Sequence, residues 1–187
     1  MTFAIDRDAA IAFTRASIST PSVKKFLSVS YLSSRHSRPS WWTDDDWAAY
    51  EKVNYEVLPN YFKAKVAADE VLTILSKDKN EREEKEDVEV AERFCGISLR
   101  PGNLTEEPAG GVRMGKIGAS GKTSRATVAE SIVAVLEKGA RGWVDVLDGE
   151  EEIGEAVGKL VREGIDAVEG EDLQEMRKRV EQYQTGS

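Results

Sequence analysis

No disulfide can form within this chain, because its only cysteine is Cys95. That is compatible with a reducing compartment, and a cytoplasmic location is expected. No apolar run approaches the roughly 20 residues that span a bilayer, so no membrane association is expected. The start, MTFAIDRDAA, lacks the basic-then-apolar pattern of a signal peptide. Positive charge is in deficit: 26 Lys and Arg against 34 Asp and Glu leave a net charge of −8. Such a surface repels phosphate backbones, which argues against nucleic acid as a partner. The lone histidine, His36, sits among arginines and serines with no acid nearby in sequence and reads as a surface residue. What remains is ordinary for a globular protein, 40% hydrophobic and 32% charged. The 187 residues suffice for one domain with a real core.

Periodicity gives an alternation of helices and strands. Residues 6–19 place Ala9, Ala10, Ile11, Phe13 and Ala16 at helical spacing. Thr20-Pro21-Ser22 ends that helix, since a residue before proline avoids the helical region. The segment KFLSVSYL, 25–32, reads as a strand, with apolar side chains on both faces as in a strand buried on two sides. Thr43 followed by Asp46 has the form of a capping box, so a helix is expected over 44–57. Pro59 interrupts it, and a second helix is expected over 60–75. The charge run 77–92 reads as a solvated loop or frayed helix end. FCGISL, 94–99, is a second strand, followed by a glycine-rich, aperiodic stretch, 102–123, that reads as a long loop. Ser124 caps a helix to about 137, with Gly139 and Gly142 at its exit. WVDVL, 143–147, is a third strand. Asp148 with Glu151 forms another capping box, before a helix that Gly164 stops. A charged helix, 171–184, comes last. The order predicts an α/β fold with about three parallel strands and flanking helices, joined by right-handed crossovers.

Tyr61 and Lys65 form a Tyr-x-x-x-Lys pair on one helix face. A free phenol titrates near about 10, too high for proton transfer at neutral pH, and a neighbouring ammonium is expected to lower it. Such a tyrosine can protonate a carbonyl or deprotonate an alcohol. The spacing alone arises often by chance, so its context decides. Small residues, VAADEVL, follow Lys65, and the preceding strand ends in a serine cluster. Downstream come LRPGNLTEEP, 99–108, a strand entering a Pro-Gly loop, and GKTSRATVAE, 121–130, opening a helix.

This succession, over about residues 6–172, resembles the C-terminal half of atypical short-chain dehydrogenase/reductases of the NmrA-like and YwnB-like kind, fungal members especially. The resemblance implies a partial Rossmann-like fold and NAD or NADP as cofactor. It makes Tyr61 the proton donor and Lys65 its electrostatic partner and ribose ligand. Ser30 or Ser33 is left to polarise a substrate carbonyl, and Pro101, Gly102 and Leu104 to pass the nicotinamide. It also implies a departure. Members of the family begin with a strand and a Gly-x-x-Gly-x-x-Gly turn that holds the pyrophosphate, and no counterpart precedes residue 25 here. The chain therefore reads as a single truncated NAD(P)-binding-like domain, 1–187, expected to bind dinucleotides poorly or not at all by itself. Two alternatives use the same residues. One is an enzyme, either a reductase completed by a partner chain or a non-redox lyase or isomerase relying on Tyr61 and Lys65. The other is a regulatory or scaffold protein. A small-molecule substrate is possible. A homodimer or partner chain is expected at the edge that strand 25–32 would expose. No metal is expected.

Several patterns have simpler readings. Gly115, Gly118 and Gly121 have dinucleotide-fingerprint spacing, but no buried strand is visible before Gly115 and the helix starts after the third glycine. Gly121-Lys122-Thr123 resembles the end of a P-loop, yet Lys116 stands where that motif needs glycine. Trp41, Trp42 and Trp47 either line an apolar pocket or pack a loop onto a helix. The acids 44–46 are accounted for by the capping box, and Cys95, mid-strand, reads as buried and inert.

Overall fold

The computed structural model describes residues 1–185. A π-helical stretch, Phe3–Ala9, runs into α1 (Ala10–Ser19), and β1 is Lys25–Val29. Helix α2 (Asp44–Glu51) continues as a π-helical turn, Lys52–Val57, before α3 (Pro59–Lys85). Then come β2 (Cys95–Pro101), β3 (Asn103–Thr105), β4 (Gly111–Met114) and β5 (Lys122–Ser124). The remaining elements are α4 (Arg125–Lys138), β6 (Gly142–Gly149), α5 (Ile153–Glu163) and α6 (Leu173–Thr185).

The main sheet has the order β1-β2-β6-β4. β1, β2 and β6 are parallel, and β4 joins β6 antiparallel. Apolar side chains on alternate strand positions build a core on each face. Ile97, Leu99, Val144 and Val146 pack with Val135 of α4 and Val157 and Leu160 of α5. Trp143 packs on the other face with Ile11 of α1, Val71 and Ile74 of α3, and Met176 and Val180 of α6. Each such buried side chain contributes about 1.5–3 kcal/mol relative to exposure. The fold is thus an α/β sandwich of Rossmann type, as the alternation predicts.

Several boundaries differ from expectation, each for a physical reason. The first strand, expected over 25–32 and buried on both faces, ends at Val29 and is only partly buried, because it lies at the edge of the sheet. The charge run 77–92 is helical through Lys85. Its polar side chains are tertiary anchors: Asp78 takes two hydrogen bonds from Arg177 of α6, Glu83 accepts from the Phe94 N–H, and Lys79 donates to Ile18 O. The stretch 102–123 is not one loop but holds β3, β4 and β5, with β3 and β5 forming a separate two-stranded parallel sheet. The first helix after Thr43 ends at Glu51 and widens into the π-helical turn. The helix expected behind Asp148 starts four residues later, because β6 is prolonged by pairing with β4 and Val112 bridges Glu151. Glu152 is the N-cap that accepts from Glu155 N–H. Elsewhere the local signals hold: Thr43 and Asp46 make the reciprocal capping box, Ser124 caps α4, and Gly139 and Gly164 close α4 and α5 at positive φ.

Candidate functional site

Helix α3 places Tyr61, Lys65 and Asp69 one turn apart on the face that meets the ends of β1 and β2. A cavity of about 230 Å³ opens there, at the C-terminal ends of the parallel strands. Its lining includes Ser30, Tyr61, Pro101, Gly102 and Leu104, along with Ser33. Parallel α/β sheets bind ligands outside these strand ends. Of the seven residues singled out from sequence, only Lys65 does not line the cavity.

Lys65 is buried, and its Nζ donates to Val29 O at 2.7 Å. Lys24 O accepts from Cys95 N–H and Ser30 N–H donates to Leu99 O, so alternate residues of β1 bond to β2. Val29 lies out of phase with these two, and its carbonyl faces the open edge of the sheet. Lys65 therefore caps a polar group that no strand pairs with among the described residues.

Tyr61 is half-buried, its ring 5.0 Å from that of Tyr31. Burial, then the negative fields of Asp6 and Asp69, push its phenol up to about 12. This is opposite to the lowering expected from Lys65, whose ammonium is engaged with the strand. Tyr61 is thus protonated at neutral pH, equipped to give a proton rather than to take one.

Beneath the cavity floor lies a cluster that the sequence reading missed. Asp69 is buried and accepts from Ser30 (2.5 Å) and Ser34 (2.6 Å) through one carboxylate oxygen and from Ser98 (2.8 Å) through the other. Ser30 spends its hydroxyl proton on Asp69 and can offer a ligand only lone pairs. The signal for Asp69 was its i+4 spacing after Lys65. Deeper still, Arg100 of β2 faces Asp145 of β6 at 3.0 Å, both fully buried, in register across the sheet. Arg100 also donates to Leu32 O and lies over the Trp143 ring. Burial pushes Asp145 up to about 6, against the pull of Arg100 and Arg35.

The Pro101-Gly102 turn is held from outside. Gly102 N–H donates to Thr123 Oγ1 (3.0 Å) and Val146 O (3.2 Å). A Cβ on Gly102 would stand 2.6 Å from Gly121 O, so only glycine lets the two segments approach. The fingerprint-like glycines lie in this wall. A strand does precede Gly115, contrary to the sequence reading, since β4 carries the buried Val112. It is antiparallel, however, and no helix starts at the turn. Three of the loop's donors are already used: Gly115 N–H bonds Asp145 O, Ile117 N–H bonds Gly115 O, and Ala119 N–H bonds Asp46 Oδ1 at 2.7 Å. A Cβ on Gly118 would meet the same carboxylate at 2.6 Å. A pyrophosphate does not fit against it.

The tryptophans pin that loop. Trp41 and Trp42 both donate their indole N–H to Ile117 O, at 3.1 and 2.9 Å, and Trp47 stacks on Tyr50. None of the three lines the cavity. His36 proves to have an acid beside it, Glu70 at 3.5 Å, supplied by α3 from far along the chain. Cys95 is buried and raised by that burial. No helix among the described residues is long and apolar enough to cross a membrane.

No family model matches the chain, and no curated protein matches it. Solved structures do. An oxidoreductase, ylbE, from Lactococcus lactis is 22% identical with a TM-score of 0.59, over 84% of this chain and 61% of that one. A Bacillus halodurans protein named for an inferred NAD-dependent epimerase/dehydratase activity is 21% identical with a TM-score of 0.60, over 85% and 62%. At such identities the likeness is one of fold, and the chain spans about three fifths of the length of either structure: its architecture is the Rossmann-like α/β one that both share.

Proposed function

We propose that this chain supplies the substrate- and nicotinamide-facing half of an NAD(P)-dependent reductase-like site. The observation that carries the reading is the single cavity that gathers Ser30, Tyr61, Pro101, Gly102 and Leu104 at the ends of β1 and β2. In this reading a small carbonyl compound enters beside Tyr61, and the Pro101-Gly102 turn is the wall for the nicotinamide ring. A reduced nicotinamide, when bound, supplies hydride to the carbonyl carbon. Tyr61 supplies the proton. Its phenol, at about 12, is far more acidic than an aliphatic alcohol, so the proton passes downhill to the developing alkoxide. Lys65 and Asp69 act at one remove: Lys65 fixes the end of β1, and Asp69 fixes the serine turn.

The same reading makes dinucleotide binding weak for the chain alone. Among the described residues no Gly-x-x-Gly-x-x-Gly turn joins a parallel strand to a helix, and of the glycines at 115–121 Gly118 faces the Asp46 carboxylate while Gly115 and Gly121 pack on Leu160, Ile165 and Leu147. The unpaired edge of β1 is the place where a further strand would dock, either from a second copy or from a chain carrying the nucleotide half. With NADPH supplied at millimolar concentration to overcome weak binding, Tyr61→Phe is expected to lower carbonyl reduction about 10²-fold or more. An active chain indifferent to that substitution contradicts the role given to Tyr61.

A further inference from the structure

We propose that the cavity selects neutral, largely apolar carbonyl compounds and turns away carboxylates and phosphates; this rests on reading the cavity as the substrate site. No charged side chain lines it. Its walls are Leu32, Ala49, Val53, Leu58 and Leu104 with the rings of Tyr31 and Tyr61, and its polar groups are hydroxyls, the Asn103 amide and backbone.

The cations nearby are committed elsewhere. Lys65 donates to Val29 O, Arg100 faces Asp145, and Arg38 pairs with Asp44. Arg35 is held by the carbonyls of Ser37, Ala167 and Glu169. Negative charge bears on both cavity phenols: Asp69 acts on Tyr31 and Tyr61 and Asp6 on Tyr61, with Arg100 a smaller opposing influence at Tyr31 only. An entering carboxylate loses its water, finds no cation to pair with and meets this field, which is the costly case for a buried ion. A ketone oxygen needs one donor, and the protonated Tyr61 is that donor.

The test uses acetophenone and benzoate, of similar size and differing in charge, titrated into the full chain and followed by amide NMR. Acetophenone is expected to shift the Gly102, Leu104 and Ser120 amides saturably, with benzoate at least about a hundredfold weaker. Leu104→Arg, at a position 45% exposed and therefore tolerant of the change, is expected to gain benzoate binding at the same amides. Benzoate binding the wild-type chain as well as acetophenone, at those amides, overturns the selectivity and leaves the site reading intact. A Leu104→Arg chain that gains nothing overturns the claim that a missing cation is what excludes acids. If neither probe perturbs these amides, the site reading fails and the selectivity with it.

Discussion

Three serine hydroxyls converge on the Asp69 carboxylate, from the exit of β1, from the turn after it, and from β2. That one side chain ties α3 to both strands whose ends shape the cavity. Asp69→Ala removes the acceptor and leaves Ser30, Ser34 and Ser98 buried without it. At about 1–3 kcal/mol for each unsatisfied buried group, and with some re-pairing, a loss of about 3 kcal/mol is expected in urea unfolding. A loss below about 1 kcal/mol would show that the serines find other partners easily. The sequence made Tyr61 and Lys65 legible because their chemistry is carried by residue type and spacing. Asp69 was hidden because its value lies in three serines brought from 29 to 39 positions away. The direction of the Tyr61 shift was hidden for the same reason: spacing puts Lys65 a turn away, but only the fold shows its ammonium spent on a strand carbonyl.

At the level of elements, helix α3 is where charge patterning misled most. A run such as KDKNEREEK lacks an apolar stripe, yet it stays helical because neighbouring elements use its charges. The same helix carries Glu70, fully buried, whose Oε1 accepts from Nε and Nη2 of Arg179 on α6 at 2.8 and 2.6 Å. Burial pushes Glu70 up to about 7, opposed by Arg179 and aided by Glu171 and Asp69. The folded chain keeps this proton up to about pH 7, whereas the unfolded chain releases it near about 4.3. Stability from this group is therefore full at acid pH and falls as pH rises through about 7. Asp145 slopes the same way but finishes near about 6. Between about pH 6 and 7 the wild-type urea midpoint should lose ground relative to Glu70→Gln. Parallel midpoints across that window would show that Glu70 is already ionised in the folded protein. The strands of 102–123 were illegible for a different reason. β3 and β5 are three residues each, too short for a period, and exist because the Pro101-Gly102 turn needs a neighbour.

For the whole molecule, the sheet's parallel centre was legible in its apolar runs, while the antiparallel β4 edge was not. β1 is the other edge. Exposed apolar side chains sit on the strand and on the helices flanking it: Val29 of β1, Phe13 of α1 and Val133 of α4. A parallel strand edge left open in this way invites pairing. In a sample of the chain alone a second copy is the available partner, joined about a two-fold axis. Light scattering at low micromolar concentration is expected to return a mass above the 20.7 kDa of one chain. A monodisperse monomer with cooperative thermal unfolding would mean that Lys65 and the flanking helices are cover enough.

The central claim, a substrate-side half-site without its own pyrophosphate anchor, is tested most directly by calorimetry with two ligands. The chain is titrated with NADH and with reduced nicotinamide mononucleotide, which share the nicotinamide and differ in the pyrophosphate link and adenosine. The account predicts weak and closely matched affinities for the two, since the described residues offer that link no cradle. A micromolar Kd for NADH beside negligible binding of the mononucleotide would contradict it, by showing that the chain carries a complete dinucleotide site.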